Sequence, residues 1–428
     1  MRRSATIVGP WTWTVALARF RRLALLAAMA LLAAACATAP PPTTPELVWP
    51  IPPEEPRIKF VRTLSHSEEF GSSGATAFIE AIFGPGMGQQ LSKPYGVTAD
   101  RAGRVYVTDT ALGLVWVFDE KAKKVSFLGA SGQGKLATPI GVAVDEARDR
   151  IFVSDAKHQR IFAYTRDDKV VLAIGQKDEL ANPGGLAIHP ESNRLFVVNA
   201  RGHGVRVYDV RDGNFLFQFG SRGNQPGEFN FPTNAFLRGD RLYITDGGNF
   251  RIQVFDLEGK FLRTFGKVGA RLGEFARPKG VAVDSEDHVY VVDAAFDNFQ
   301  IFDQQDRLLL FVGKKGPEPG DFWLPAGMYI DEQDRIYVAD QYNYRIQVFQ
   351  YLGERHKAQA TQRGRYVQRP RSFLAHPPPF PPPPLFRTRA PVSRWCAGSA
   401  RHDSAPIGLR KHKNYHWCNC LKTHCYSP

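Results

Sequence analysis

Leu242-Tyr243-Ile244-Thr245-Asp246 is one of six versions of a single phrase, and its recurrence decides the fold. The others are Val105-Tyr106-Val107-Thr108-Asp109, Ile151-Phe152-Val153-Ser154-Asp155, Leu195-Phe196-Val197-Val198-Asn199, Val289-Tyr290-Val291-Val292-Asp293 and Ile336-Tyr337-Val338-Ala339-Asp340. Their last residues stand at 109, 155, 199, 246, 293 and 340, so the step is 44 to 47 residues. A fixed period of roughly 20–50 residues marks a repeat architecture.

Each unit opens with a proline: Pro94, Pro139, Pro183, Pro232, Pro278 and Pro325. A short apolar run follows, as in Gly280-Val281-Ala282-Val283. After a polar turn comes the Tyr-Val phrase, then a third run such as Arg251-Ile252-Gln253-Val254-Phe255. A fourth ends in Phe-Gly, as in Phe261-Leu262-Arg263-Thr264-Phe265-Gly266. These runs are short, rich in Val, Ile, Phe and Tyr, and bounded by turn residues, so they read as strands. No helical pattern separates them, which excludes a βαβ fold. Four short strands per unit, six times over, predict an all-β, six-bladed β-propeller.

The sixth unit stops after three strands, near Gly353. Arg57-Ile58-Lys59-Phe60-Val61-Arg62-Thr63-Leu64, upstream of the first unit, has the pattern of a fourth strand. It is expected to complete blade six, so the propeller spans residues 57–353.

The repeats resemble the NHL family. Asp246-x-x-Asn249-x-Arg251-Ile252-Gln253-Val254-Phe255-Asp256 and Asp340-x-x-Asn343-x-Arg345-Ile346-Gln347-Val348-Phe349 carry the likeness, with Gly-Glu-Phe at 227–229 and 273–275. The resemblance covers residues 94–350. It implies the propeller and leaves activity open, because propellers host enzymes, binders and scaffolds alike.

Residues 1–36 read as an export signal. Arg19, Arg21 and Arg22 precede a 13-residue apolar run, Leu23–Ala35, too short to span a bilayer. Arg21-Arg22 reads as a basic n-region. The run ends in Ala33-Ala34-Ala35-Cys36, which resembles a bacterial lipobox and implies lipidation at Cys36. Ala37 after it implies sorting to the outer membrane, facing the periplasm. Residues 37–56 are Pro-rich and read as a semi-rigid stalk. Residues 65–93 interrupt the pattern. Phe78, Ile79, Ile82 and Phe83 form a helical stripe there, predicting a short helix.

The chain carries a net charge of +13, but residues 51–353 hold 36 Lys/Arg against 39 Asp/Glu. The surplus therefore sits in the ends, and no nucleic-acid partner is expected. Residues 354–428 combine a proline run, scattered Arg and four of the five cysteines, and are expected to be disordered. Cys396, Cys418, Cys420 and Cys425 match no standard metal spacing.

An Asp repeated in nearly every blade reads as scaffold, capping the next loop through its backbone. Arg160, Arg251 and Arg345, five residues after such an Asp, are expected to pair with it. Specific chemistry belongs to departures from the repeat. Asn199 replaces the repeated Asp, and Asn234 stands where other blades have Gly. Resemblance to gluconolactonase-like propellers would place such Asn residues on an axial channel with calcium. Resemblance to the amidating lyases would need several His around a metal, and the propeller's His do not assemble into one. No Ser/His/Asp triad, phosphate loop or cofactor motif stands out.

The loop between strands two and three varies most. Phe250, Phe296, Tyr342 and Tyr344 make an aromatic sector; Lys157, His158, Arg201 and His203 make a basic one. Aromatic and cationic anchors suit protein or peptide recognition. The expected function is a non-catalytic protein- or peptide-binding scaffold, lipid-anchored at the bacterial cell envelope, without a cofactor. The alternative is a propeller hydrolase or lyase with calcium or zinc in the axial channel.

Overall fold

The computed structural model describes residues 46–67, 80–81, 84, 89–176 and 179–359. Over these the chain forms five four-stranded antiparallel sheets and one of five strands. Blade one is Pro94–Ala99, Val105–Asp109, Leu114–Asp119 and Lys124–Leu128. Blade four repeats it as Pro232–Arg238, Arg241–Asp246, Arg251–Phe255 and Phe261–Phe265. The architecture is the six-bladed propeller that the period predicts.

The Tyr-Val phrase is the second strand of each blade, and its burial explains its monotony. Every residue of Val105–Asp109 and Val289–Asp293 is buried. Both faces of that strand press on neighbouring blades, so both must be apolar. Pro at the start of each inner strand lies opposite the last residue of the phrase, as Pro94 opposes Asp109 and Pro232 opposes Asp246. This pairing puts the loops after strand two and the segments before strand one at the same end of the ring, the Pro end.

Inner strands crowd the axis. A Cβ on Gly96 would meet the Ile140 carbonyl, one on Gly141 that of Gly184, and one on Gly327 that of Tyr95. Glycine at this place lets each blade touch the next. Side-chain hydroxyls stitch the same contacts. Thr108 Oγ1 donates to the Ile140 carbonyl (2.9 Å) and accepts from Gly96 N (2.7 Å). Ser154 Oγ does likewise with Gly184 O (2.6 Å) and Gly141 N (2.8 Å).

Blade six closes the ring. Its strands Pro325–Ile330, Arg335–Asp340 and Arg345–Tyr351 are completed by Ile58–Leu64, paired from Ile58 opposite Tyr351 to Leu64 opposite Ile346 with a register shift between Phe60 and Arg62. A fifth strand lies outside it: Val48–Trp49 pairs with Lys59 and Ile58. The propeller thus begins inside the segment expected to be a stalk. Trp49 explains why, since its ring packs edge-on against Phe349 at 5.7 Å. At the other end, residues 354–359, expected to be disordered, form a helical turn. Lys357 there reaches Glu55 at 2.9 Å. Of the predicted insertion helix, Glu80 and Ala81 are helical; Phe78, Ile79, Ile82 and Phe83 lie outside the described residues, as do Cys36, the rest of the export signal and residues 360–428.

Candidate functional site

The repeated Asp fixes the loops of the Pro end. Asp109 accepts from the backbone N–H of Ser92 (2.7 Å), Lys93 (3.1 Å), Ala111 and Leu112 (each 3.1 Å). Burial pushes its carboxyl above the usual range, and these bonds oppose that. Asp293 holds Ala276 N and Arg277 N in the same way, and Asp340 holds Trp323 N at 2.8 Å. An identical buried acid in five of the six blades therefore pins the backbone at positions whose side chains differ. The scaffold reading of this Asp agrees with that geometry.

The expected Asp–Arg pairs form in blades four and six. Arg251 Nε donates to Asp246 and Arg345 Nε to Asp340, both at 2.8 Å. Arg160 does not follow. It is exposed, and His158 Nδ1 instead lies 3.3 Å from the Asp155 carboxyl. Lys157 and His158 donate backbone N–H groups to Asp155, so the loop turns before Arg160 can reach it.

The Pro end also carries a ring of left-handed residues. Gly113, Gln159, His203, Phe250, Asp297 and Tyr344 occupy one equivalent place in the six blades, with φ between 51° and 64°. Glycine adopts this freely; Phe250 and Tyr344 do so at about 1–2 kcal/mol each. Bulky side chains thus sit on a turn that does not favour them.

The predicted aromatic sector is partly assembled. Tyr342 and Tyr344 are 38% and 45% exposed, whereas Phe250 and Phe296 are half-buried. Phe250 packs against the core of blades four and five. Two exposed aromatics were missed. Trp323, 44% exposed, packs at a tilt against Tyr342 with ring centroids 5.6 Å apart, and Phe231, 49% exposed, lies 4.7 Å from His203. Both precede the Pro of a blade, a place the strand-two loop reading did not include. Lysines flank the pair: Lys315 Nζ is 5.8 Å from the Trp323 ring and Lys93 Nζ 6.0 Å from that of Tyr342.

The basic sector is larger than expected in one way and smaller in another. Lys157, His158 and Arg201 are exposed. His203 is not: it is 9% exposed, and its Nδ1 accepts from Phe231 N at 3.3 Å. Its role is to seat Phe231. Further exposed cations lie on the segments before the inner strands: Lys93 in blade one, Arg222 in blade four, Arg271 and Arg277 in blade five, Lys314 and Lys315 in blade six.

The two asparagines separate. Asn199 sits at the end of its second strand, where its Oδ1 accepts from Ala181 N at 2.7 Å. It does the loop-pinning work of the Asp it replaces and does not line the axis. Asn234 does line the axial cavity, of about 510 Å³, with its Oδ1 accepting from Ala235 N. Tyr329 and Phe236 lean across the same cavity, their rings 5.9 Å apart. Burial pushes the Tyr329 phenol up to about 12, so it stays neutral. Glu146, Glu191 and Glu332 line the cavity at the end away from the prolines. Among the described residues no three His, Cys, Asp or Glu side chains gather to hold a metal ion.

A model of the NHL repeat matches residues 322–349, and one described as a 6-bladed beta-propeller matches residues 233–300. Two curated relatives align over one such stretch. RING finger protein nhl-1 of Caenorhabditis elegans is 40% identical over 65 residues, and Protein brain tumor of Drosophila melanogaster 36% over 67. Each alignment covers 15% of this chain, but only 7% and 6% of those longer proteins. Among solved structures, a streptogramin B lyase is similar at 13% identity and a TM-score of 0.47, over 61% of this chain and 94% of that one. An auxiliary nutrient binding protein from Bacteroides thetaiotaomicron gives 16% and 0.48, over 61% and 69%. The chain is a six-bladed β-propeller, and within it residues 322–349 match the NHL repeat.

Proposed function

We propose that this propeller is an exported, lipid-anchored scaffold that captures a protein or peptide partner on its Pro end, without chemistry of its own. One observation carries the reading. Trp323 and Tyr342 pack together while staying exposed, and both hang on backbone that buried acids or their loops hold fixed: Trp323 N donates to Asp340, and Tyr342 N donates to Trp323 O at 3.1 Å. Exposed rings on a rigid frame lose little conformational entropy on binding, which suits an interface anchor. The anchor at Cys36 is proposed from the Ala-Ala-Ala-Cys sequence, and outer-membrane localisation from Ala37.

The test is co-purification from envelope extract. A partner should be retained by the native chain and lost with Trp323→Ala and Tyr342→Ala combined, while the melting temperature holds. Loss of stability in that variant would return the rings to the core and remove the support. Cys36→Ser should move the protein from the membrane to the soluble fraction; no change would end the lipid-anchor reading.

A further inference from the structure

Charge is sorted between the two ends of the ring. On the Pro end, Lys93, Lys157, Arg160, Arg201, Arg277 and Lys315 are exposed, and none sits in a salt bridge among the described residues. The acids of that end are turned inward. Glu228 accepts from Gln225 N at 3.0 Å, Glu274 from Arg271 N at 3.0 Å, and Asp297 from Leu324 N at 2.7 Å. A carboxylate spent on backbone N–H groups does little to balance cations that face solvent. Glu318 is an exposed exception. The loops between strands one and two at the opposite end lean the other way, with Glu146, Glu191, Asp240, Glu286 and Glu332 exposed, although Arg101, Arg211 and Arg307 are exposed at that end too. The near-neutral total of the propeller hides this split.

The cations are also placed with the rings. Lys315, Trp323, Tyr342 and Lys93 form one run in which each member lies within 6.0 Å of the next, ammonium to ring to ring to ammonium. Such a run offers an apolar seat with a positive charge at each side. Both charges are lysines, compact point charges, with none of the planar forks that grip phosphate bidentately. An extended peptide of about five residues at ~3.3 Å each would span the run.

We infer that the Pro end binds an acidic peptide segment, an aromatic or apolar residue seated on Trp323 and Tyr342 and flanked on both sides by Asp or Glu facing Lys315 and Lys93. This rests on the partner-binding reading above and adds the partner's chemistry. Charge complementarity over the whole end would speed encounter and make it sensitive to salt.

The test is selection of a random twelve-residue peptide library on the immobilised full chain at low salt. Enriched peptides should carry net negative charge with acids on both sides of an aromatic or apolar residue. Their affinity should fall roughly tenfold or more in Lys93→Gln/Lys315→Gln, and fall again at high salt, while Glu191→Gln on the opposite end leaves it unchanged. Enrichment of neutral or basic peptides that Trp323→Ala abolishes would overturn the charge assignment and leave partner binding standing. Absence of enriched peptides would overturn both, as would lysine-dependent binding only to a single-stranded oligonucleotide or to vesicles of anionic lipid.

Discussion

Asp246 and Arg251 form a salt bridge of 2.8 Å in which the carboxylate is fully buried and the guanidinium nearly so. Arg251 also donates to the carbonyls of Asn224, Gln225 and Glu228, so one side chain ties strand three to the loop before the blade. Arg251→Ala strips a buried carboxylate of its partner and frees three carbonyls. It should cost about 3–5 kcal/mol in urea unfolding. Arg160→Ala, at the matching place of blade two, touches no such network and should stay within about 0.5 kcal/mol. Equal losses in the two variants would refute the assignment of these pairs.

Thr108 and Thr245 occupy the same place in blades one and four but differ in their bonds. Thr108 is stitched to the next blade, whereas Thr245 Oγ1 is buried without a partner. Thr233 explains the difference. Its own hydroxyl takes the Lys279 carbonyl, at 3.0 Å, which Thr245 would otherwise reach. Thr108→Val should cost about 1–2 kcal/mol, and Thr245→Val should be neutral or stabilising by a similar amount, because it removes an orphaned polar group. Chemical denaturation of both variants against the native chain decides it; a loss in Thr245→Val contradicts the geometry.

His288 stands where blades one and six have Arg104 and Arg335. All three face the buried acid four residues before, here Asp284 at 2.9 Å. The hydrogen bond and charge of Asp284 raise the His288 imidazole above its usual value, with Glu286 and Asp303 adding to the field. Tyr290 donates to the same carboxylate, and the Tyr351 ring packs on the imidazole. A raised folded value means that this contribution is complete below the unfolded value of about 6.5 and fades as pH rises through the folded one. His288→Arg keeps its charge throughout. The melting temperature of the native chain should therefore fall relative to His288→Arg as pH is raised above about 6.5. Parallel pH profiles for the two proteins would remove the coupling.

Ile58 is completely buried in the seam of blade six, opposite Tyr351. Ile58→Ala should cost about 2–5 kcal/mol. Deleting residues 57–64 should abolish the cooperative transition of the ring as a whole, because it removes the strand that joins the last blade to the first. A deletion mutant that melts like the native protein would show that closure does not depend on this strand.

Much of this was legible in residue spacing. The blade count, the register of the Pro end and the closing strand 57–64 follow from a period and an apolar pattern, both of which one strand carries in itself. Val48–Trp49 was not legible, because two residues among prolines have no period; what makes them a strand is a ring contact with Phe349. Arg160 failed for the same kind of reason: its spacing from Asp155 equals that of Arg251 from Asp246, but the two loops turn differently. The charge split escaped a count over residues 51–353 and would have emerged from sorting charges by loop type. So would the brace of the opposite end, Asp100-x-x-x-Arg104-x-Tyr106 and Asp331-x-x-x-Arg335-x-Tyr337, whose Tyr hydroxyls donate to the Asp at 3.1 Å. Trp323 and Phe231 sat in segments that read as connectors.

Synthesis meets the seam in an awkward order. Ile58–Leu64 leaves the ribosome before any blade exists, and its partner Arg345–Tyr351 leaves after five blades are complete. Until then the first strand has an unpaired edge and an isoleucine with nowhere to bury, the state most open to wrong pairing. The last blade thereby checks the length of the chain. A product cut short just before Arg345 has every other strand of the propeller and still cannot shut, because its first strand has no partner.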